Sequence, residues 1–105
     1  MTGEAGLRTV RRRLIAALRE GEYRHEGRSA LEEKNLLAIG EVGPPEVIQL
    51  LQRCRGDQHR TSPHHVDRTL VVHEFRPVLG DRTWYVKAYF RGPMAWFISV
   101  HEGES

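Results

Sequence analysis

The chain has 105 residues and a mass of 12.1 kDa, enough for one domain (1–105) with one modest core and too little for two. Its formal charge is only +2, yet the sequence pI is 9.0, and every basic residue except Lys34 and Lys87 is an arginine. No apolar run approaches a bilayer span, no leader pattern opens the chain, and the single Cys54 excludes an internal disulfide framework, so a cytoplasmic protein without membrane contact is expected.

The arginine excess has two explanations. A G+C-rich genome favours arginine codons; alternatively, the planar guanidinium is selected because it grips phosphate in two places and stacks on bases. The first segment, "LRTVRRRLIAALREG", puts Leu7, Val10, Leu14 and Leu18 on one side of a helix that Gly21 stops. Arg8, Arg11, Arg12 and Arg19 fall on the other side, as a solvated face or as a nucleic-acid contact. In "RSALEEKNLLAIG" the Ser29 and Glu32 spacing is that of a capping box, which predicts a second helix from about Ala30 to Ile39. The third helix, "GPPEVIQLLQRC", has prolines in its first turn and an apolar stripe of Val47, Ile48, Leu50, Leu51 and Cys54. Residues Arg55 to Asp67, "RGDQHRTSPHHVD", are polar and aperiodic and are expected to form a loop.

Beyond the loop the apolar period becomes two. The segments "RTLVVHEFRP", "TWYVKAYF" and "AWFISVHE" predict three antiparallel strands joined by turns at Gly80 and Asp81 and at "RGPM". The expected architecture is therefore α+β, three helices followed by a three-stranded antiparallel sheet with the helices on one face. Strict alternation puts Trp84, Val86, Ala88 and Phe90 on the core side with Trp96, Ile98 and Val100. Thr83, Tyr85, Lys87 and Tyr89 then share the opposite face with Phe97, Ser99 and His101. Hydrophobicity does not decide between Leu70, Val72, Glu74 and Arg76 on one side of the first strand and Val71, His73 and Phe75 on the other. Aromatic rings beside cations suit single-stranded nucleic acid, whose bases stack and whose phosphates need charge. Cross-strand pairs on an ordinary exposed face are the blander account.

In order and spacing, the basic first helix, "RSAL", "VIQLL", "FRP", "YVK" and the closing "ISVHE" resemble the motility quorum-sensing regulator (MqsR) toxins of bacterial toxin–antitoxin pairs. The resemblance implies a RelE-like fold and a ribosome-independent, metal-independent mRNA interferase with no cofactor. It also implies an antitoxin partner carrying a DNA-binding domain. The family's active-site tyrosine falls on Tyr85. One family lysine falls on His101, another on Arg60, and a glutamine on Val72, so the catalytic solution departs from the family pattern.

Metal-free cleavage needs a base, an acid and cations. The expected catalytic set is Glu74 as base, His101 as acid, Tyr85 as hydrogen-bond donor and Arg60 as a phosphate grip. Lys87, Arg76 and Tyr89, together with His64 and His65 in a loop fixed by Pro63, are expected to bind RNA. Glu74 and Arg76 also read as a simple ion pair, and Cys54, His59, His64 and His65 lack the paired spacing of a zinc site. The competing functional readings are a toxin that cuts only on the ribosome and a module that binds RNA or antitoxin without cutting.

Overall fold

The computed structural model describes residues 3–26 and 35–103. In chain order these form helix α1 (Gly3–Glu20), strand β1 (Tyr23–His25), helix α2 (Pro44–Arg53) and a 3-10 turn (Gly56–Gln58). Strands β2 (His59–Pro63), β3 (Val71–Phe75), β4 (Val78–Leu79), β5 (Arg82–Arg91) and β6 (Met94–Glu102) follow. The class is α+β, but the expected three helices and three strands are corrected: the sheet has six strands, with two α-helices among the described residues. The first half of the expected second helix, with its Ser29 and Glu32 capping box, lies outside the described residues, and in the second half Leu36 to Gly40 are turns.

Both helices lie against one face of the sheet because each carries one apolar stripe. Leu7, Leu14, Ala17 and Leu18 of α1 and Val47, Leu50 and Leu51 of α2 are buried with Phe75, Val86, Ala88, Ala95, Phe97 and Val100 of the strands. Gly21 ends α1 at φ +72°, and the Glu22 N–H donates to the Ala17 carbonyl at 2.9 Å, the six-to-one bond of a left-handed helix stop. At the start of α2 the Glu46 carboxylate accepts the Gly43 N–H at 2.9 Å, and the prolines occupy positions where no donor is needed.

The strand order is β1-β6-β5-β3-β2, with β4 paired on β5. β1 runs parallel to β6, and the other pairs are antiparallel. Three strands escaped the periodicity reading for separate reasons. β1 and β4 are three and two residues long, too short to show a period. β2, within the expected loop, is an edge strand with its last four residues exposed. Its backbone bonds to β3 make it a strand, and those leave no hydrophobic signature.

The decisive departure is a β-bulge in β6. Lys87 pairs with Ser99 and Ala88 with Phe97, so Ile98 is the extra residue on its strand. A bulge resets alternation. Phe97 is therefore fully buried beneath the helices, not exposed on the opposite face, while Trp96 and Ile98 pass to that face and pack with Val72, Tyr89 and Leu70.

On the helix side, His73 is half-buried. His59 Nε2 lies 3.1 Å from its Nδ1, and the His59 ring stacks on Phe75 with centroids 4.9 Å apart. Burial, with added repulsion from His59 and Arg13, lowers the His73 pKa from 6.5 to about 4.

Truncation of Phe97 to Ala should cost about 3–5 kcal/mol in urea unfolding, the range for a large aromatic lost from a packed core; a loss under about 1 kcal/mol would restore the unbulged register. Neutral His73 implies a second outcome. Its folded pKa lies below its unfolded value, so the stabilisation it contributes is intact above pH 6.5 and is lost as pH falls towards 4. The urea midpoint should decline across that window, and less steeply in His73→Gln.

Candidate functional site

The sheet face turned away from the helices is half covered and half open. The segment between β2 and β3 folds over the covered half. His64 there is buried, and its Nε2 donates to Glu26 Oε1 at 2.7 Å. Its Nδ1 accepts the Val66 and Asp67 N–H groups at 3.1 and 3.2 Å, which fixes the tautomer with the proton on Nε2. Tyr89 donates its hydroxyl to the same Glu26 oxygen at 3.1 Å, and burial followed by the Glu26 charge raises its pKa. Asp67 accepts both the N–H and the hydroxyl of Thr69, bonds that lower its carboxyl pKa and tighten the turn.

The open half is a recess of about 310 Å³ lined by Glu74, Arg76, Tyr85, Lys87, Ile98, Ser99 and His101. Pairing of three strands assembles it: Glu74 of β3 lies opposite Lys87 of β5, Lys87 opposite Ser99 of β6, and Tyr85 opposite His101. Ile98 and Ser99 both reach it because the bulge turns two successive side chains to one side. The Glu74 carboxylate is shared: Oε2 accepts from Arg76 Nε at 2.5 Å, and Oε1 lies 3.6 Å from Lys87 Nζ. The Tyr85 and His101 rings are stacked, with centroids 5.2 Å apart and planes 17° from parallel. The Arg76 guanidinium stands 5.4 Å from the Tyr85 ring centre. One carboxylate, two cations, one phenol and one imidazole thus converge in a single concavity.

Arg60 lies beside this group, not inside it. It pairs with Glu74 across β2 and β3 and is exposed at the rim. Among the residues expected to meet RNA, Lys87 and Arg76 line the recess, whereas Tyr89 and His64 are buried with Glu26. His65 is exposed and stacks on His64 with centroids 4.7 Å apart. Val72, where the resembled family has a glutamine, is buried under the covered half with Tyr89 and Ile98.

Among the described residues, Cys54 and the histidines considered with it for zinc form no group that could hold a metal ion. Cys54 is buried in the helix-side core, its backbone carbonyl accepts from Arg11 at 2.8 Å, and burial pushes its thiol up to about 11. His59 stacks within the helix-side layer, and His64 sits on the opposite face.

Sequence reasoning missed two residues that shape this face. Glu26, beyond β1, carries no motif, and only the parallel pairing of β1 with β6 brings it to Tyr89 and His64. Gly103 donates its N–H to the Thr83 carbonyl at 2.7 Å and lies so close to the Tyr85 ring that a Cβ there would overlap it.

A larger recess of about 450 Å³ between the outer surfaces of α1 and α2 is lined by Arg8, Arg11, Arg12, Arg19, Ile15, Ala16 and Gln52. It supplies cations but no carboxylate, phenol or imidazole, so the smaller recess is the one equipped for proton transfer. No described helix is long and apolar enough to cross a membrane. Comparison with models of known protein families, with curated proteins and with solved structures found no match.

Gly103→Ala should push the Tyr85 ring off its stack on His101 and cost about 1–3 kcal/mol, as overpacking does. The His101 ring protons in NMR spectra and the urea midpoint should both shift; unchanged values would mean that Gly103 does not confine Tyr85.

Proposed function

We propose that the chain is a metal-independent endoribonuclease that cuts single-stranded mRNA, the toxin of a cytoplasmic toxin–antitoxin pair of MqsR type. The observation that carries the reading is the convergence of Glu74, Arg76, Tyr85, Lys87 and His101 in one recess. The antitoxin partner, with its DNA-binding domain, and growth inhibition as the outcome rest on the family resemblance.

The chemistry follows from the arrangement. A phosphodiester entering the recess competes with Glu74 for Arg76 and Lys87, because phosphate offers several acceptor oxygens to the same donors. The two cations move to the non-bridging oxygens, and the carboxylate they release takes the proton of the 2′-hydroxyl. The 2′-oxygen then attacks phosphorus, the bond to the 5′-oxygen breaks, and His101 protonates that oxygen as it leaves. Tyr85 donates to the charge developing on the phosphorane, and Arg60 at the rim holds a neighbouring phosphate. The products are a 2′,3′-cyclic phosphate and a 5′-hydroxyl, with protons and charge balanced without a metal ion.

A second reading is favoured by the Glu74 contacts with Arg76 and Lys87: a carboxylate already holding two cations fits a module that binds RNA or an antitoxin without cutting. The remaining alternative, ribosome-dependent cleavage, is separated from both by naked RNA.

Purified protein incubated with a defined single-stranded RNA in EDTA should give the two ends named above. His101→Ala should retain the fold by circular dichroism and lose about a hundred- to ten-thousand-fold in rate, the usual cost of removing a general acid or base. Cleavage abolished by EDTA and restored by zinc or magnesium overturns the metal-free chemistry. Binding without cleavage supports the second reading, and cleavage only with added ribosomes supports the third.

A further inference from the structure

The open face does not end at the recess. Ile98 lines it, and two residues earlier on β6 stands Trp96, brought to this side by the bulge. Trp96 is within about 10 Å of Ser99 along the strand. Arg24 is its partner on β1 and Tyr89 its partner on β5. The indole lies nearly parallel to the Tyr89 ring, 9° between planes and 6.3 Å between centroids. Tyr89 is buried and anchored to Glu26, so Trp96 rests on a rigid support and loses little freedom when a ligand stacks on it.

Two arginines flank the indole. Arg91 is exposed, with its guanidinium carbon 5.9 Å from the Trp96 ring centre, near the limit for a cation over an aromatic face. Arg24 is exposed on the other side, where its guanidinium donates to the Tyr23 carbonyl at 3.0 Å. A half-buried ring with exposed guanidinium groups beside it matches the repeating unit of a single strand, a flat base next to a phosphate.

We infer that Trp96, flanked by Arg24 and Arg91, is a base-stacking subsite that holds a nucleotide of the RNA strand next to the one cleaved in the recess. The inference rests on the ribonuclease reading of the recess and extends its substrate site along β6. Stacking accepts every base, because each has a π-face, so the subsite contributes affinity and placement rather than the choice of cut sequence. Arg91 exchanges its loose contact with the ring for the phosphate on one side of the stacked base, and Arg24 takes the phosphate on the other.

The test uses the full chain carrying Trp84→Phe, which leaves Trp96 as its one indole, and an all-2′-deoxy oligonucleotide. That strand lacks the attacking hydroxyl, so binding is read without cleavage. Binding should quench the Trp96 fluorescence. Trp96→Ala should weaken affinity about 5- to 150-fold, the loss expected from one stacked base, and Trp96→Phe should retain most of it. Arg24→Ala and Arg91→Ala, both at exposed positions, should each reduce the salt slope of binding by about 0.7 and raise KM on RNA with kcat preserved.

Binding with quenching but no RNA cleavage leaves the stacking subsite standing and removes the ribonuclease reading. RNA cleavage combined with unquenched Trp96 and wild-type affinity in both arginine variants removes the subsite alone. Absence of both binding and cleavage removes both. Should Trp96→Ala fail to fold, the quenching and the two arginine variants decide the question by themselves.

Discussion

The extra residue in β6 is the constraint on which the two faces of this sheet depend. His101 and Trp96 are an odd number of positions apart, so an unbroken strand would send them to opposite sides. With Ile98 bulged, both lie on the face turned from the helices, while Phe97 and Val100 close the core beneath. β5 is regular, and Tyr85, Lys87 and Tyr89 keep to one side throughout. A regular strand paired with a bulged one therefore offers a continuous row of functional groups from His101 to Trp96. The same reset gives the core Phe97 opposite Ala88, where alternation would have supplied Ile98, and Ala95 opposite Phe90, where it would have supplied Trp96.

The open face shows how buried polar groups and accessible ones are kept apart. Under the β2–β3 segment, Glu26 collects donors from His64 and Tyr89, and His64 satisfies two backbone N–H groups with its other nitrogen. A carboxylate in that position would be costly alone, and these bonds offset its desolvation. In the recess, by contrast, Glu74 is bound to side chains that remain partly in water. Arg76 and Lys87 are each about two-fifths exposed, at 41% and 43%. Such pairs contribute little to stability and exchange readily for a stronger anion. The first arrangement holds the covering segment down; the second leaves its cations available to an anionic ligand.

Without a matching family, relative or solved structure, the functional reading has to stand on the recess. The His101 imidazole stacks on the Tyr85 ring at the centre of it. An imidazole can donate a proton near neutrality, whereas an ammonium group serves chiefly as a cation. Val72 lies beneath the covered half, so the open recess is built without it.

The sequence by itself determined the elements whose signal is local and repeated. The stripes of α1 and α2, the helix stop at Gly21, the long β5 strand and the grouping of Tyr85 with Lys87 all follow from side-chain periods along one segment. What depends on a distant partner was settled only by the tertiary structure. β1, β2 and β4 are strands because other strands bond to them, and their composition does not record it. Glu26 is a half-buried acceptor because parallel pairing carries it to Tyr89, and Gly103 confines Tyr85 because its N–H is held by Thr83. The bulge at Ile98 is the clearest case. Alternation read along β6 alone has no means of registering an extra residue, since a bulge exists only relative to the strand opposite.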